Sequence, residues 1–251
     1  MSKTLIFGGS GKIALHITHL LSTAKPPHAV LNITRSSNHN DAITSAGGTP
    51  IIASIESSSS SDMTTLLREH NPTSVIWSAG AGGKGDPSRV ERVDQQGAID
   101  VMDACASAGV KRFIMVSAVD VRDREKGAPG WYSKEMKERS DKGWGAIGRY
   151  MAAKLAADRA LVTGNGERKL EYTIVRPSAL TEDKGTGKVE AGKVDFTRSI
   201  SREDVARVIV EVLGNEGTVG LAFDVVGGEM AIEEAVARVV EKREDTFEGN
   251  Y

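Results

Sequence analysis

Apolar positions along the chain follow two alternating rhythms. Short β-branched and aliphatic runs read as strands at 3–7 (KTLIF), 29–34 (AVLNIT), 49–53 (TPIIA), 74–78 (SVIWS), 111–117 (KRFIMVS), 170–176 (LEYTIVR) and 221–226 (LAFDVV). Between them, apolar residues recur at helical spacing. Examples are Ile13, Ile17, Leu20 and Leu21, then Ala98, Met102, Cys105 and Ala106. Later come Val205, Val208, Ile209, Val212 and Leu213, followed by Ile232, Val236, Val239 and Val240. Strands that alternate with helices predict a mostly parallel sheet covered on both faces. The expectation is a single doubly wound α/β domain over residues 1–251. Ligands of such sheets bind beyond the carboxyl ends of the strands, where the strand order reverses.

Three stretches break the rhythm. Residues 57–61 are five serines and read as a flexible loop. Residues 120–145 are charged and glycine-punctuated yet contain Trp131, Tyr132 and Trp144. They read as an inserted loop or lid over the substrate side of the cleft. Residues 181–193 (TEDKGTGKVEAGK) read as a polar loop.

Composition narrows the function classes. The formal charge is −2, from 32 basic and 34 acidic residues, so no basic excess exists to neutralise a nucleic-acid backbone. No apolar run approaches 18 residues, so no membrane span is expected. The N-terminus enters a strand pattern at once and reads as no signal peptide. A single cysteine, Cys105, excludes an intrachain disulfide and a thiolate zinc cage. A reducing, cytoplasmic setting is expected. His16 and His19 share a helical face without a third ligand beside them, so no metal site is assigned.

The first strand runs into Gly8-Gly9-Ser10-Gly11-Lys12-Ile13-Ala14, a GxxGxxA turn that opens a helix near Gly11 or Lys12. Glycines permit the tight turn and let backbone N–H groups approach a pyrophosphate. The helix N-terminus favours the anion, and small Ala14 lets helix and strand pack closely. A Walker-type phosphate loop is excluded, because the sixth place from Gly8 is Ile13 rather than glycine. After the second strand, chains that prefer NAD place an acid. This chain has Thr34-Arg35-Ser36-Ser37 there, with Arg35 24 residues past Gly11. A guanidinium and two hydroxyls suit a 2′-phosphate, so NADP(H) is expected, with Lys12 as a second cation. The run from Ser78 to Gly85 after the fourth strand suits a backbone passing close to a ligand.

Ser117 ends the fifth strand, and Tyr150-Met151-Ala152-Ala153-Lys154 opens a helical stretch reaching about Thr163. Residues i and i+4 share a helix face, so Tyr150 and Lys154 project together. A neighbouring ammonium is expected to lower the phenol pKa and make Tyr150 a better acid or base. No other tyrosine fits. Tyr132 is followed at +4 by Met136, Tyr251 is terminal, and Tyr172 and Arg176 lie on a strand about 13 Å apart.

The glycine turn, VDQQGAIDVMDACASAGVKRFIMVSA, YMAAKLAADRAL, LEYTIVRPSALTEDKGTG and ISREDVARVIVEVL together resemble an atypical short-chain dehydrogenase/reductase. The nearest subgroup is the small NAD(P)-binding proteins of the NmrA-like and extended-reductase kind. The resemblance implies a Rossmann-type fold whose C-terminal elements form the substrate wall. It puts Ser117, Tyr150 and Lys154 in the family's serine, tyrosine and lysine positions, and Arg176-Pro177-Ser178 beside the nicotinamide. The cofactor set expected is Gly8, Gly9, Ser10, Gly11, Lys12, Ile13, Arg35, Ser36, Ser54, Ile55, Ala79, Gly80, Tyr150, Lys154 and Pro177. Two departures stand out. Asp94 occupies a helix position where the family often has asparagine, and the 120–145 segment is long for the subgroup.

The activity expected is NADP(H)-dependent reduction or oxidation at a carbonyl or alcohol of a small organic substrate. Tyr150 would protonate the oxygen, Ser117 would orient it, and Lys154 would tune Tyr150 and hold the ribose. Two alternatives stay open. One is an epimerase or dehydratase using the same residues; the other is a redox-sensing NADP(H)-binding module without turnover. The chain is expected to act as a monomer or homodimer.

Overall fold

A computed structural model describes residues 2–81, 88–249 and 251. The chain order is β1 (Lys3–Phe7), α1 (Lys12–Thr23), β2 (Ala29–Thr34), α2 (Asn40–Ser45), β3 (Thr49–Ile52), α3 (Ser60–His70) and β4 (Ser74–Trp77). The short α4 (Ser88–Val90) leads through a π-helical stretch (Glu91–Gly97) into α5 (Ala98–Ala108), then β5 (Arg112–Val116) and the long α6 (Lys134–Arg168). β6 (Glu171–Pro177), β7 (Leu180–Thr181), β8 (Lys188–Gly192), β9 (Ile200–Ser201), α7 (Arg202–Gly214), β10 (Leu221–Gly227), β11 (Met230–Ala231) and α8 (Ile232–Lys242) complete it.

The main sheet runs β11-β8-β10-β6-β5-β4-β1-β2-β3. The seven neighbouring strands β10, β6, β5, β4, β1, β2 and β3 are parallel, and β8 pairs antiparallel with both β10 and β11. This is a Rossmann-type α/β fold in one domain. β1 pairs with β2 on one side and β4 on the other, so the order reverses at β1 and opens a crevice there.

Alternation along the strands sends side chains to opposite faces. Leu5, Phe7, Val75, Trp77, Phe113 and Met115 pack with Met63 and Leu67 of α3, Met102 of α5 and Leu161 of α6. Ile6, Ile76 and Ile114 pack with Ile17 of α1, Val208 of α7 and Val236 of α8. Both faces are therefore apolar, which is why these strands read as continuous hydrophobic runs.

The seven expected strands are present to within a residue at each end. Three expectations need correction. Residues 57–61 are not all loop, because Ser59 caps α3 and closes a reciprocal capping box with Asp62. Residues 181–193 contain a strand, β8, whose Val189 and Ala191 are buried against the core. The helix bearing Tyr150 begins at Lys134, capped by the Ser133 hydroxyl, and only kinks at Ile147 (φ −131°, ψ 31°). Half of the 120–145 segment is therefore helix. Its charged, glycine-rich composition concealed the period, yet Tyr132 and Met136 pack against Val194, Phe196 and Val226.

β8 is tied to the domain through Asp204 at the start of α7. Its buried carboxylate accepts from Thr186 N–H (2.9 Å), Gly187 N–H (2.8 Å) and the Ser201 hydroxyl (2.9 Å). Asp204→Ala would strand these donors, at about 1–3 kcal/mol in all after partial hydration. We expect thermal unfolding about 3–10 °C below wild type, measured by differential scanning calorimetry.

Candidate functional site

The glycine turn sits at the reversal point and is held from three sides. Gly9 donates its N–H to the Ile33 carbonyl (2.9 Å), Gly11 donates to the Gly8 carbonyl (2.9 Å), and the Asn32 amide donates to the Gly9 carbonyl (2.9 Å). Gly8 has φ +75°, and a Cβ there would lie 2.5 Å from Ala79 Cα. Only glycine allows the turns after β1 and β4 to approach this closely. Gly9 presses on Asn32 in the same way, at 2.6 Å. Gly11 caps α1 without a side-chain hydrogen bond, and the first turn carries no acid. Protein side chains thus leave the opening amides of α1 to a ligand.

A cleft of about 250 Å³ extends from this turn. Gly8, Ser10, Gly11, Arg35, Ser54, Ile55, Ala79 and Gly80, all expected from the sequence, line it. Thr34, His39, Glu56, Ala81, Arg89 and Val93 also line it and were not foreseen as a set. Other expected members lie elsewhere. Ile13 packs into the core, and Lys12 pairs with Glu182 at 2.9 Å. Gly82, Gly83, Lys84 and Gly85 of the expected glycine run lie outside the described residues.

At the other end, α6 crosses the carboxyl end of β5. Tyr150, Lys154 and Asp158 lie four residues apart and share one helix face. Lys154 is 3 % exposed and donates to the Val116 carbonyl (3.1 Å), with Asp94 at 3.8 Å. Its Nζ lies 5.8 Å from the Tyr150 ring centroid. Ser117 donates its hydroxyl to Asp158 at 2.7 Å, and both are buried. The structure thus gathers the three expected residues and adds Asp158. The signal for Asp158 was an acid one further i+4 step along the face that carries Tyr150 and Lys154.

Asp94 joins the two ends. It lies on the π-helical stretch, fully buried, and accepts from the Ala81 N–H at 2.8 Å. A Cβ on Gly80 would stand 3.0 Å from its Oδ1. The acid in the family's asparagine position thus faces Lys154 directly.

Charge at this end is governed by burial. Burial raises the Tyr150 phenol, and Lys154 only partly opposes it. The expectation of a net lowering is therefore corrected: removing the phenolate from water outweighs the ammonium. Burial disfavours the Lys154 charge, yet Tyr150, Asp94 and Asp158 overcome this and raise it. Burial pushes Asp158 up to about 6 against the pull of Arg176, Ser117 and Lys154. Arg176 itself is buried, 3.3 Å from Asp224, and donates to the Ala118 (3.2 Å) and Val121 (2.8 Å) carbonyls. It braces the segment after β5.

A glycine turn at the reversal point of a doubly wound sheet, opening into a long cleft, defines a Rossmann-fold NAD(P)-binding protein. Residues 8–216 match the NAD(P)H-binding family, and the chain belongs to it. A UPF0659 protein of Schizosaccharomyces pombe is 38% identical over 247 residues, covering 98% of each chain. A Bacillus subtilis protein described as an uncharacterised sugar epimerase is 31% identical, over 94% of this chain and 100% of its own. A solved structure described as a putative NAD-dependent epimerase/dehydratase from Bacillus halodurans superposes with TM-score 0.77 at 28% identity, covering 95% of this chain and 100% of that one.

The raised Asp158 carboxyl makes stability pH-dependent. The folded state holds this proton more tightly than the unfolded chain, so the stabilisation is full below about pH 4 and lost as pH rises through about 6. Asp158→Asn keeps an acceptor for Ser117 without the charge. We expect it to be more stable than wild type by about 1 kcal/mol at pH 7.5 and indistinguishable at pH 4, by urea melts at the two pH values.

Proposed function

We propose that the protein is an enzyme of alcohol–carbonyl chemistry that uses NADP(H) on a small organic substrate. The observation that carries this reading is the single face of α6 presenting Tyr150, Lys154 and Asp158 at the end of β5, joined through Asp94 to the dinucleotide cleft. The glycine turn and the free amides of α1 fit a pyrophosphate. Arg35 and Arg89, both lining the cleft, fit a phosphorylated adenosine ribose.

A nicotinamide held in this site would supply or accept the hydride. Tyr150 gives a proton to the substrate oxygen in reduction and takes it in oxidation. Its raised pKa keeps the phenol protonated, which suits the donor role. Lys154 stays charged, favours the phenolate when the proton leaves, and binds a ribose hydroxyl. Ser117 directs its own proton to Asp158, which leaves its oxygen to accept from a substrate hydroxyl. Pro177 and Ser36 complete the proposed cofactor contacts, with Gly9, Lys12 and Ile13 shaping the turn.

A second reading has the same residues perform epimerisation or dehydration without net redox change. The descriptions of the Bacillus subtilis and Bacillus halodurans relatives favour it. Ser117 as an acceptor also suits a substrate that enters as an alcohol. A sensor without turnover would not need a tyrosine and a buried lysine on one helix face. The segment 120–145 is proposed to wall the substrate side rather than to swing as a free loop.

Two measurements test this. We expect wild type to bind NADPH more tightly than NADH, and Arg35→Ala to remove about one decade of that preference, by fluorescence titration. Equal wild-type affinities would defeat the cofactor assignment. On a panel of carbonyl compounds and sugars, nicotinamide absorbance and product spectra should be followed together. Stoichiometric NADPH loss indicates reduction; an isomerised or dehydrated product at constant absorbance indicates the second reading. Tyr150→Phe should lower turnover about 10²–10⁴-fold and leave NADPH affinity nearly unchanged. Lys154→Met should reduce both. Wild-type rates in Tyr150→Phe would show that another group moves the proton.

A further inference from the structure

The adenosine end of the cleft holds a carboxylate where the proposed ligand carries its extra phosphate. Glu56, just past β3, accepts from Arg89 Nη2 (2.8 Å) and Nε (3.2 Å) and from Arg35 Nη1 (3.1 Å). All three line the cleft, together with His39. Two guanidiniums from different loops thus converge on one acid, and the donors a phosphate would use already have an anion.

We propose that Glu56 is the resident counter-ion of a phosphate site built from Arg35 and Arg89, and that it sets the discrimination between a 2′-phosphorylated and an unphosphorylated dinucleotide. The inference rests on the reading of this cleft as the NADP(H) site. Arg35 had a sequence argument; Glu56 and Arg89 had none, because they meet only in the folded chain.

Three observations support exchange of the carboxylate for a phosphate. First, among the described residues that line the cleft, two guanidiniums, Arg35 and Arg89, face one carboxylate, Glu56, before His39 is counted. Second, the ions remain in contact with solvent, with 65 % of the Arg35 side chain and 34 % of Glu56 exposed. A phosphate can reach them, and a displaced carboxylate can be hydrated. Third, the backbone around Glu56 is anchored apart from its side chain. Arg92 donates to the Glu56 carbonyl (3.0 Å) and the Ser58 carbonyl (2.9 Å) and pairs with Asp100 (2.9 Å). Glu56 can therefore rotate away without moving the loop. Arg89 foremost, and Arg35 with it, hold the Glu56 carboxyl below the usual range, so it is charged at neutral pH and opposes a second anion. A phosphate dianion forms two or more charge-assisted bonds to a guanidinium pair, where the carboxylate contributes a single charge.

The assignment makes opposite predictions for the acid and the base. Glu56→Gln removes the competing charge and keeps the size and one acceptor. NADPH affinity should rise about tenfold and NADH affinity should change less than about twofold. Arg89→Gln should lower NADPH affinity about tenfold or more, again with little effect on NADH. Fluorescence titration of each variant with both dinucleotides reads this out, with 2′,5′-ADP and 5′-AMP as probes lacking nicotinamide. Equal thermal melting of the variants excludes misfolding, and Glu56→Ala serves if Glu56→Gln is unstable. If Glu56→Gln weakens or strengthens both dinucleotides alike, or favours NADH, the counter-ion assignment is overturned while the NADP(H) reading stands. If wild type binds neither dinucleotide, both fall.

Discussion

Lys154 carries an ammonium that water scarcely reaches, and the geometry of the site follows from how that charge is satisfied. A buried charge stripped of its partners costs about 3–5 kcal/mol. Its partners come from three parts of the chain: the Val116 carbonyl at the end of β5, Asp94 on the π-helical stretch, and Asp158 and Tyr150 one turn away on α6. Satisfying Lys154 therefore docks α6 on the carboxyl end of the sheet. That docking sets the Tyr150 ring beside Lys154 and brings Asp158 onto Ser117. Asp94, the shared partner, also holds the Ala81 N–H and stands against Gly80. The α6 end and the dinucleotide end are thus linked through one buried carboxylate.

The two ends use charge differently, and burial is the reason. Around Lys154 the charged groups are dry and closely packed, so no soluble ligand can take the place of one of them. Around Arg35 they are wet, so their pairing with Glu56 is weak enough for a ligand to replace. Rigid charge suits proton transfer, because the groups need no rearrangement when charge develops. Exchangeable charge suits binding and release of a soluble dinucleotide.

A second buried pair, Arg176 with Asp224, secures the segment that follows β5. Arg176 reaches the carbonyls of Ala118 and Val121, while Arg122 and the Tyr132 hydroxyl converge on Asp120 at 2.8 and 3.1 Å. Asp120 has φ +58°, a left-handed backbone that its side-chain bonds compensate. The stretch after β5 is thus anchored inward by polar contacts, despite its exposed-looking composition.

The sequence alone determined the layered fold, because a parallel sheet buried on both faces must be written as continuous apolar strands between amphipathic helices. It also singled out the glycine turn by its spacing and Tyr150 with Lys154 by their shared helix face, while Arg35 was proposed from its place after β2 and Ser117 from the family resemblance. What escaped it has a common cause. β8 became legible only against β10, its antiparallel partner, and the first half of α6 only where Met136 and Tyr132 meet Phe196. The direction of the Tyr150 shift depends on dehydration, which a four-residue spacing does not report. Asp158, Arg89 and Glu56 each acquire a role from a partner 33 to 41 residues away. Local periodicity records how a segment packs against a face. Which charges meet across the cleft is decided only when the sheet brings its loops together.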